Sequence, residues 1–254
     1  MNAVELFSRF GRGRNRPLSM ITCYDATFAG IAHEAQVDVL LVGDSLANVM
    51  LGLSRTGEIG MMEMLHHTRA VRKGAPDACV VSDLPYGADA TPALAVANSR
   101  FLVQAGADAV KLEGCREEVI RSIVGEGIAV VGHLGLLPQT AVSLKQVGRT
   151  PEERREVRDQ ALRVQESGAC ALVLEHIPSD LGGEITEALS IPTVGIGAGA
   201  GCAGQVLVLH DLLGLSTRQP PFAPARVDLR GIVREALSGF HRDVSEGRFP
   251  PERS

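Results

Sequence analysis

Three carboxylates close three apolar runs in this chain: Asp44 behind "VDVLLVG", Asp83 at the end of "ACVVSD" and Glu113 in "DAVKLEG". Near-continuous apolar runs of this length read as parallel strands covered on both faces. Taken alone, an acid behind a strand caps the next helix as readily as it does chemistry. Three of them on consecutive strand ends are harder to explain that way. Like charges gathered in one place repel strongly unless a cation sits among them. Hard oxygen donors without clustered Cys or His favour Mg2+, which keeps waters and takes oxygens from a substrate.

Further candidates follow the same rule of position. Lys111 and Glu113 are two apart on one strand, so their side chains leave on one face. A buried lysine beside carboxylates stays protonated, which makes it an anchor for an anionic substrate rather than a Schiff-base nucleophile. Glu175 closes "CALVLE", where an acid can be tuned for proton transfer; pairing with a basic residue at a rim is its structural alternative. His133, after "IAVVG", is a wall residue able to hydrogen-bond a substrate. Asp25, His210 and Asp211 also fall at apparent strand ends. The glycine run "GIGAGAG" (195–201) loosely fits a dinucleotide fingerprint, but it lies late in the chain, with no glycine-rich loop after the first strand.

The elements that must deliver these residues form a rhythm. The runs "MITCYDA", "VDVLLVG", "ACVVSD", "DAVKLEG", "IAVVGH", "CALVLE", "IPTVGI" and "QVLVLHD" alternate with helical patterns. The helices are "TFAGIAHEAQ", "MMEMLHHTRAVRKG", "TPALAVANSRFLVQAG", "REEVIRSIVGEG", "PEERREVRDQALRVQESG" and "DLGGEITEALS", with a terminal "LRGIVREALSGFHRDV". Thr91 before Pro92 reads as an N-cap with proline at the first helical position. Eight strands alternating with helices in 254 residues fit a single (β/α)8 TIM barrel over 1–254, with a short lead-in and a C-terminal helix. A doubly wound open sheet has the same alternation. In a barrel every strand end opens on one mouth, where active sites are built.

Composition narrows the function classes. A net charge of −5 gives no footprint for nucleic acid or an anionic membrane, and the basic cluster "RFGRGRNR" (9–16) is short. No apolar stretch approaches a membrane span, and "MNAVELFSRFGRGRN" has no signal-peptide core. Five cysteines, odd in number and without a C-x-x-C pair, suit reduced thiols in the cytoplasm.

The motifs "VGDSL", "HHTRAVRKGAP", "SDLPYG", "AGADAVKLEG", "GHLGLLPQ", "LVLE", "IPTVGIGAG" and "VLVLHDLLGL" closely resemble the 3-methyl-2-oxobutanoate (ketopantoate) hydroxymethyltransferase family of pantothenate biosynthesis. The similarity runs in order from "ITCYDA" to "HDLLGL". It implies a (β/α)8 barrel of the phosphoenolpyruvate-mutase and isocitrate-lyase type and a large homo-oligomer. It also implies Mg2+ at Asp44, Asp83 and Glu113, a 2-oxo acid touching Asp44, Ser45, Asp83 and Lys111, and Glu175 as proton acceptor. The implied co-substrate is 5,10-methylenetetrahydrofolate. A 2-oxo acid chelated to Mg2+ has an acidified neighbouring C–H, and the enolate formed would attack the folate's one-carbon unit.

Three stretches depart from that pattern. "LSRTGEIGMMEM" keeps only Thr56 of a Thr-Leu-Pro-Val-Thr segment, "TAVSLKQVGR" is shorter than the family's glycine-rich loop, and "PPFAPARVDL" lacks a basic-aromatic pattern. A transferase acting on another 2-oxo acid, a Mg2+-dependent C–C or C–P lyase or mutase, and a barrel that only binds are the competing expectations. Dependence on methylenetetrahydrofolate separates the first from the second.

Overall fold

The computed structural model describes residues 3–10 and 16–250. Eight parallel strands close into a barrel in chain order: β1 (Leu18–Thr22), β2 (Val39–Val42), β3 (Cys79–Asp83), β4 (Ala109–Glu113), β5 (Ala129–Gly135), β6 (Ala171–Glu175), β7 (Thr193–Ile196) and β8 (Gly204–Leu207), with β8 paired back to β1. The helices are α1 (Ala3–Ser8), α2 (Ala26–Glu34), α3 (Leu46–Val49), α4 (Met61–Gly74), α5 (Pro92–Ala105), α6 (Glu117–Gly125), α7 (Pro151–Glu166), α8 (Ser179–Ala188), α9 (Leu209–Leu212) and α10 (Leu229–Ser245). The open-sheet alternative is thereby excluded. By its contacts the chain forms two compact units, Met1–Val208 and Leu209–Ser254. All eight strands belong to the first.

Local signals explain the boundaries. Thr91 accepts a hydrogen bond from Leu94 N ahead of Pro92, and α5 ends on Gly106 at φ 114°, a left-handed conformation that glycine adopts without strain. Thr150 and Glu153 form a reciprocal capping box at the start of α7. The N-terminal ends of the strands are pinned too: Asp38, ahead of β2, accepts from Ser19 N and Oγ and from Arg16.

The inner face of the barrel holds Leu18, Met20, Val39, Leu41, Val81, Ala109, Val131, Ala171, Val173, Val194 and Val206 in one apolar cluster with Ala3, Leu6, Phe7 and Phe10. Cys79, Ala129 and Cys170, at or before strand starts, pack on the same cluster. Hence α1 plugs the barrel's N-terminal end, a role its polar surroundings in the sequence hide. Residues 11–15 of the basic cluster lie outside the described residues.

Two apparent strand ends are corrected. β1 stops at Thr22, and Asp25 caps α2 by accepting from Phe28 N at 2.9 Å. β8 stops at Leu207, and His210 and Asp211 lie on α9 in the second unit. After β1 the apolar run continues through Cys23 and Tyr24, buried in the connection to α2; after β8 it runs through Val208 into α9.

Candidate active site

Period-2 alternation carries the inward parity of the core up to the mouth. Val81 is followed by Asp83, Ala109 by Lys111 and Glu113, Val131 by His133, and Val173 by Glu175. Parallel pairing sets Asp83 beside Lys111 and Glu113 beside His133. The apolar base of each strand therefore aims a polar tip at a common space. Asp44 enters from the turn after β2. A Cβ at Gly43 would lie 2.9 Å from Ser45 Oγ, so glycine there clears room for that hydroxyl.

Asp44, Asp83, Lys111 and His133 are all buried, and Ser45 is partly exposed. Asp83 Oδ2 accepts from Asp44 N at 3.0 Å, and its Oδ1 lies 3.2 Å from Lys111 Nζ without a well-formed hydrogen bond. Lys111 Nζ also lies 3.3 Å from His133 Nδ1, and His133 Nε2 is 3.2 Å from Glu175 Oε2, though its N–H is not aimed squarely at that oxygen. The ammonium can only donate, so His133 Nδ1 accepts and the ring proton sits on Nε2, facing Glu175.

Electrostatics of the group are dominated by burial. Burial pushes the Asp83 carboxyl up, and Asp44 adds to the rise while Lys111 opposes it. Glu113 is raised to about 8, first by burial and then by the charges of Asp44 and Asp83 against the pull of Lys111. Burial alone would lower Lys111, but Asp83, Asp44 and Glu113 together hold it above its ordinary value, so it stays an ammonium. Burial and then Lys111 depress His133, which is neutral at physiological pH.

These carboxylates fit a hard divalent cation. Burial raises the pKa of Asp83 and Glu113, which a bound cation would offset, and a buried oxygen of Asp83 lacks a proper hydrogen bond. Among the described residues no group of three or more His, Cys, Asp or Glu is arranged to hold a metal ion. A cation here would depend on waters and substrate oxygens beside the carboxylates, as Mg2+ commonly does.

Two neighbours were not singled out from the sequence. Tyr24, fully buried, donates from its hydroxyl to Thr22 Oγ1 (2.8 Å) and shares a hydrogen bond with Ser45 Oγ (2.9 Å). Gln139, in the β5–α7 connection, bonds both Asp44 and Glu113. No periodicity marks either; Gln139 lies inside the quoted "GHLGLLPQ", which is the signal that could have found it. This connection lines a cavity of about 780 Å³, together with Gly135, Leu137, Ser143, Lys145 and Arg149. It also borders one of about 520 Å³ lined by Arg55, Thr56, Pro138 and Ala141.

With this geometry in place, the chain compares as follows with known proteins. The sequence profile of the family described as Ketopantoate hydroxymethyltransferase matches residues 6–252. The 3-methyl-2-oxobutanoate hydroxymethyltransferase of Chloroflexus aggregans is 48% identical over 250 residues, covering 96% of this chain and 90% of its own. That of Pyrobaculum aerophilum is 43% identical over 256 residues, covering 98% and 97%. Among solved structures, phosphonopyruvate hydrolase in complex with oxalate and Mg2+ superposes with a TM-score of 0.68 at 13% identity, over 99% of this chain and 90% of that one. 2,3-Dimethylmalate lyase, a member of the PEP mutase/isocitrate lyase superfamily, gives 0.64 at 15% identity, over 100% and 92%. Likeness at that identity speaks for the fold alone, a closed parallel (β/α)8 barrel.

Proposed function

The chain belongs to the ketopantoate hydroxymethyltransferase family, and from that premise we propose that it transfers a hydroxymethyl group from 5,10-methylenetetrahydrofolate to a 2-oxo acid, 3-methyl-2-oxobutanoate first among them. Asp44, Asp83 and Glu113 would hold Mg2+, with waters and substrate oxygens completing its sphere. A cation there would supply Lewis-acid polarisation of the keto group, worth several kcal/mol toward loss of the neighbouring proton. Lys111, kept charged by its carboxylate neighbours, binds the carboxylate end of the substrate, and Ser45 adds a hydroxyl beside it. His133, neutral, lines the wall between Lys111 and Glu175, with Nε2 3.2 Å from the Glu175 carboxylate but short of a formed hydrogen bond. Glu175 takes the proton, and the carbon so activated bonds to the methylene carbon of the folate; both C–N bonds of that carbon break, tetrahydrofolate leaves, and water supplies the hydroxyl oxygen.

The observation that carries this proposal is the run of polar contacts from Asp83 through Lys111 and His133 to Glu175, each 3.2 to 3.3 Å long, across four adjacent strand ends. It puts a metal-binding carboxylate at one end and a candidate base at the other, with an anion anchor between.

The test is turnover by purified protein with Mg2+ and methylenetetrahydrofolate against a panel of 2-oxo acids. Good turnover of another acid with none of 3-methyl-2-oxobutanoate would sink the acceptor and spare the reaction class; turnover without folate would favour a lyase or mutase. Exchange of the substrate's C3 proton in D2O isolates the base step. Glu175→Gln should slow it by about 10²- to 10⁴-fold, and unchanged exchange would remove Glu175 from that role.

Two further parts of the proposal concern setting. All five cysteines are free, which suits the reducing cytoplasm. No helix of the described residues is long and apolar enough to cross a membrane. A large homo-oligomer is supported by α10, in which no residue is buried and Val233, Leu237, Phe240 and Val244 form an exposed apolar stripe.

A further inference from the structure

The two barrel loops that depart from the family pattern meet at one buried residue. Gln139 is 7% exposed. Its Nε2 donates to Asp44 Oδ2 at 2.7 Å and to Leu84 O at 3.0 Å, and its backbone N–H donates to Glu113 Oε2 at 3.2 Å. Two acceptors around Nε2 settle which way the amide faces, since an amide oxygen there could bond neither. A single residue thus reaches the carboxylates that flank Asp83, one after β2 and one on β4. From the other side the 3₁₀ turn Thr56–Glu58 leans on its backbone: a Cβ at Gly57 would stand 3.2 Å from Gln139 O. That turn lies within "LSRTGEIG", and Gln139 immediately precedes "TAVSLKQVGR".

We propose that Gln139 is a positioning residue that fixes the Asp44 and Glu113 carboxylates for Mg2+, so that the packing of the two loops sets metal affinity. A carboxylate with one oxygen on a fixed donor loses torsional freedom, and its other oxygen is left for a ligand. Outer partners of this kind change metal affinity by about 10- to 100-fold when removed. The proposal rests on the Mg2+ site described under the proposed function, but it can be tested without any substrate.

Gln139→Met keeps the length and volume of the side chain and removes both amide bonds. Calorimetric titration with Mg2+ alone should show a dissociation constant about tenfold or more above the parent's. Turnover lost at low Mg2+ should return as Mg2+ is raised. A merely structural role would lower the melting temperature and leave both readouts unmoved. Gln139→Ala, which leaves room for water, repeats the measurement if Met disturbs the packing. Affinity within twofold of the parent in the folded variants would overturn the proposal. A parent that binds Mg2+ but turns over no 2-oxo acid fails the proposed activity and still decides the role of Gln139. A parent that binds no Mg2+ overturns both.

Discussion

At the residue scale the mouth is a problem in burying charge. Lys111 is surrounded by Asp83, Asp44 and Glu113; burial first, and neighbouring carboxylates after it, push Asp83 and Glu113 up, while the lysine stays charged. The opposite arrangement occurs at the barrel's other end. Burial would raise Asp38, but bonds from Arg16 and from Ser19 N and Oγ outweigh it and hold the carboxyl below its ordinary value. A carboxyl with a lowered folded-state pKa stabilises the fold above the unfolded pKa and loses that contribution as pH falls through the folded one. Asp38→Asn should therefore cost about 1 kcal/mol near pH 7, discounted for the exposure of Arg16. The difference from the parent should vanish at an acid pH below the lowered folded-state value, where both carry no charge at this position. Urea unfolding at the two pH values measures it; an equal loss at both would show that the charge is not what matters.

At the scale of elements the barrel depends on close helix approaches that the hydrophobic pattern does not encode. Gly74 closes α4 where it meets the start of α2, and a Cβ there would lie 2.0 Å from Ala26 O. Backbone cannot yield cheaply, so Gly74→Ala should lower stability by about 1 to 3 kcal/mol, read as a fall in melting temperature. The same exchange at Gly125, the last residue of α6, meets nothing within 4 Å. It should leave stability unchanged or raise it by about 0.5 kcal/mol. A larger loss at Gly125 than at Gly74 would contradict this packing. Legibility followed the same line. The spans of α4, α5 and α10 were readable within a residue or so because caps and periodicity mark them. The ends of β1 and β8 were not, because apolar residues ran past them into turns and α9.

At the scale of the whole molecule, α10 leaves Val233, Leu237, Phe240 and Val244 between 43% and 63% exposed, spaced four, three and four residues apart. An apolar stripe of that width on one helix face is what an interface between copies would cover. Leu237→Glu with Phe240→Glu should reduce the mass seen in sedimentation while leaving the barrel's circular dichroism intact. Unchanged mass would remove α10 from the proposed interface.

The sequence by itself determined the alternation of eight strands with helices and the inward positions of Asp83, Lys111, Glu113, His133 and Glu175. Side-chain direction along a strand has a strict period of two, so an apolar base dictates where the polar tip points. It also carried the family, through motifs spread along nearly the whole chain. Only the tertiary structure decided that the strands close into a barrel, that α1 plugs its base, and that Gln139 ties Asp44 to Glu113 across 95 residues of chain between the amide and Asp44. Closure and such bonds depend on which distant segments come within hydrogen-bond reach, and no local period records that.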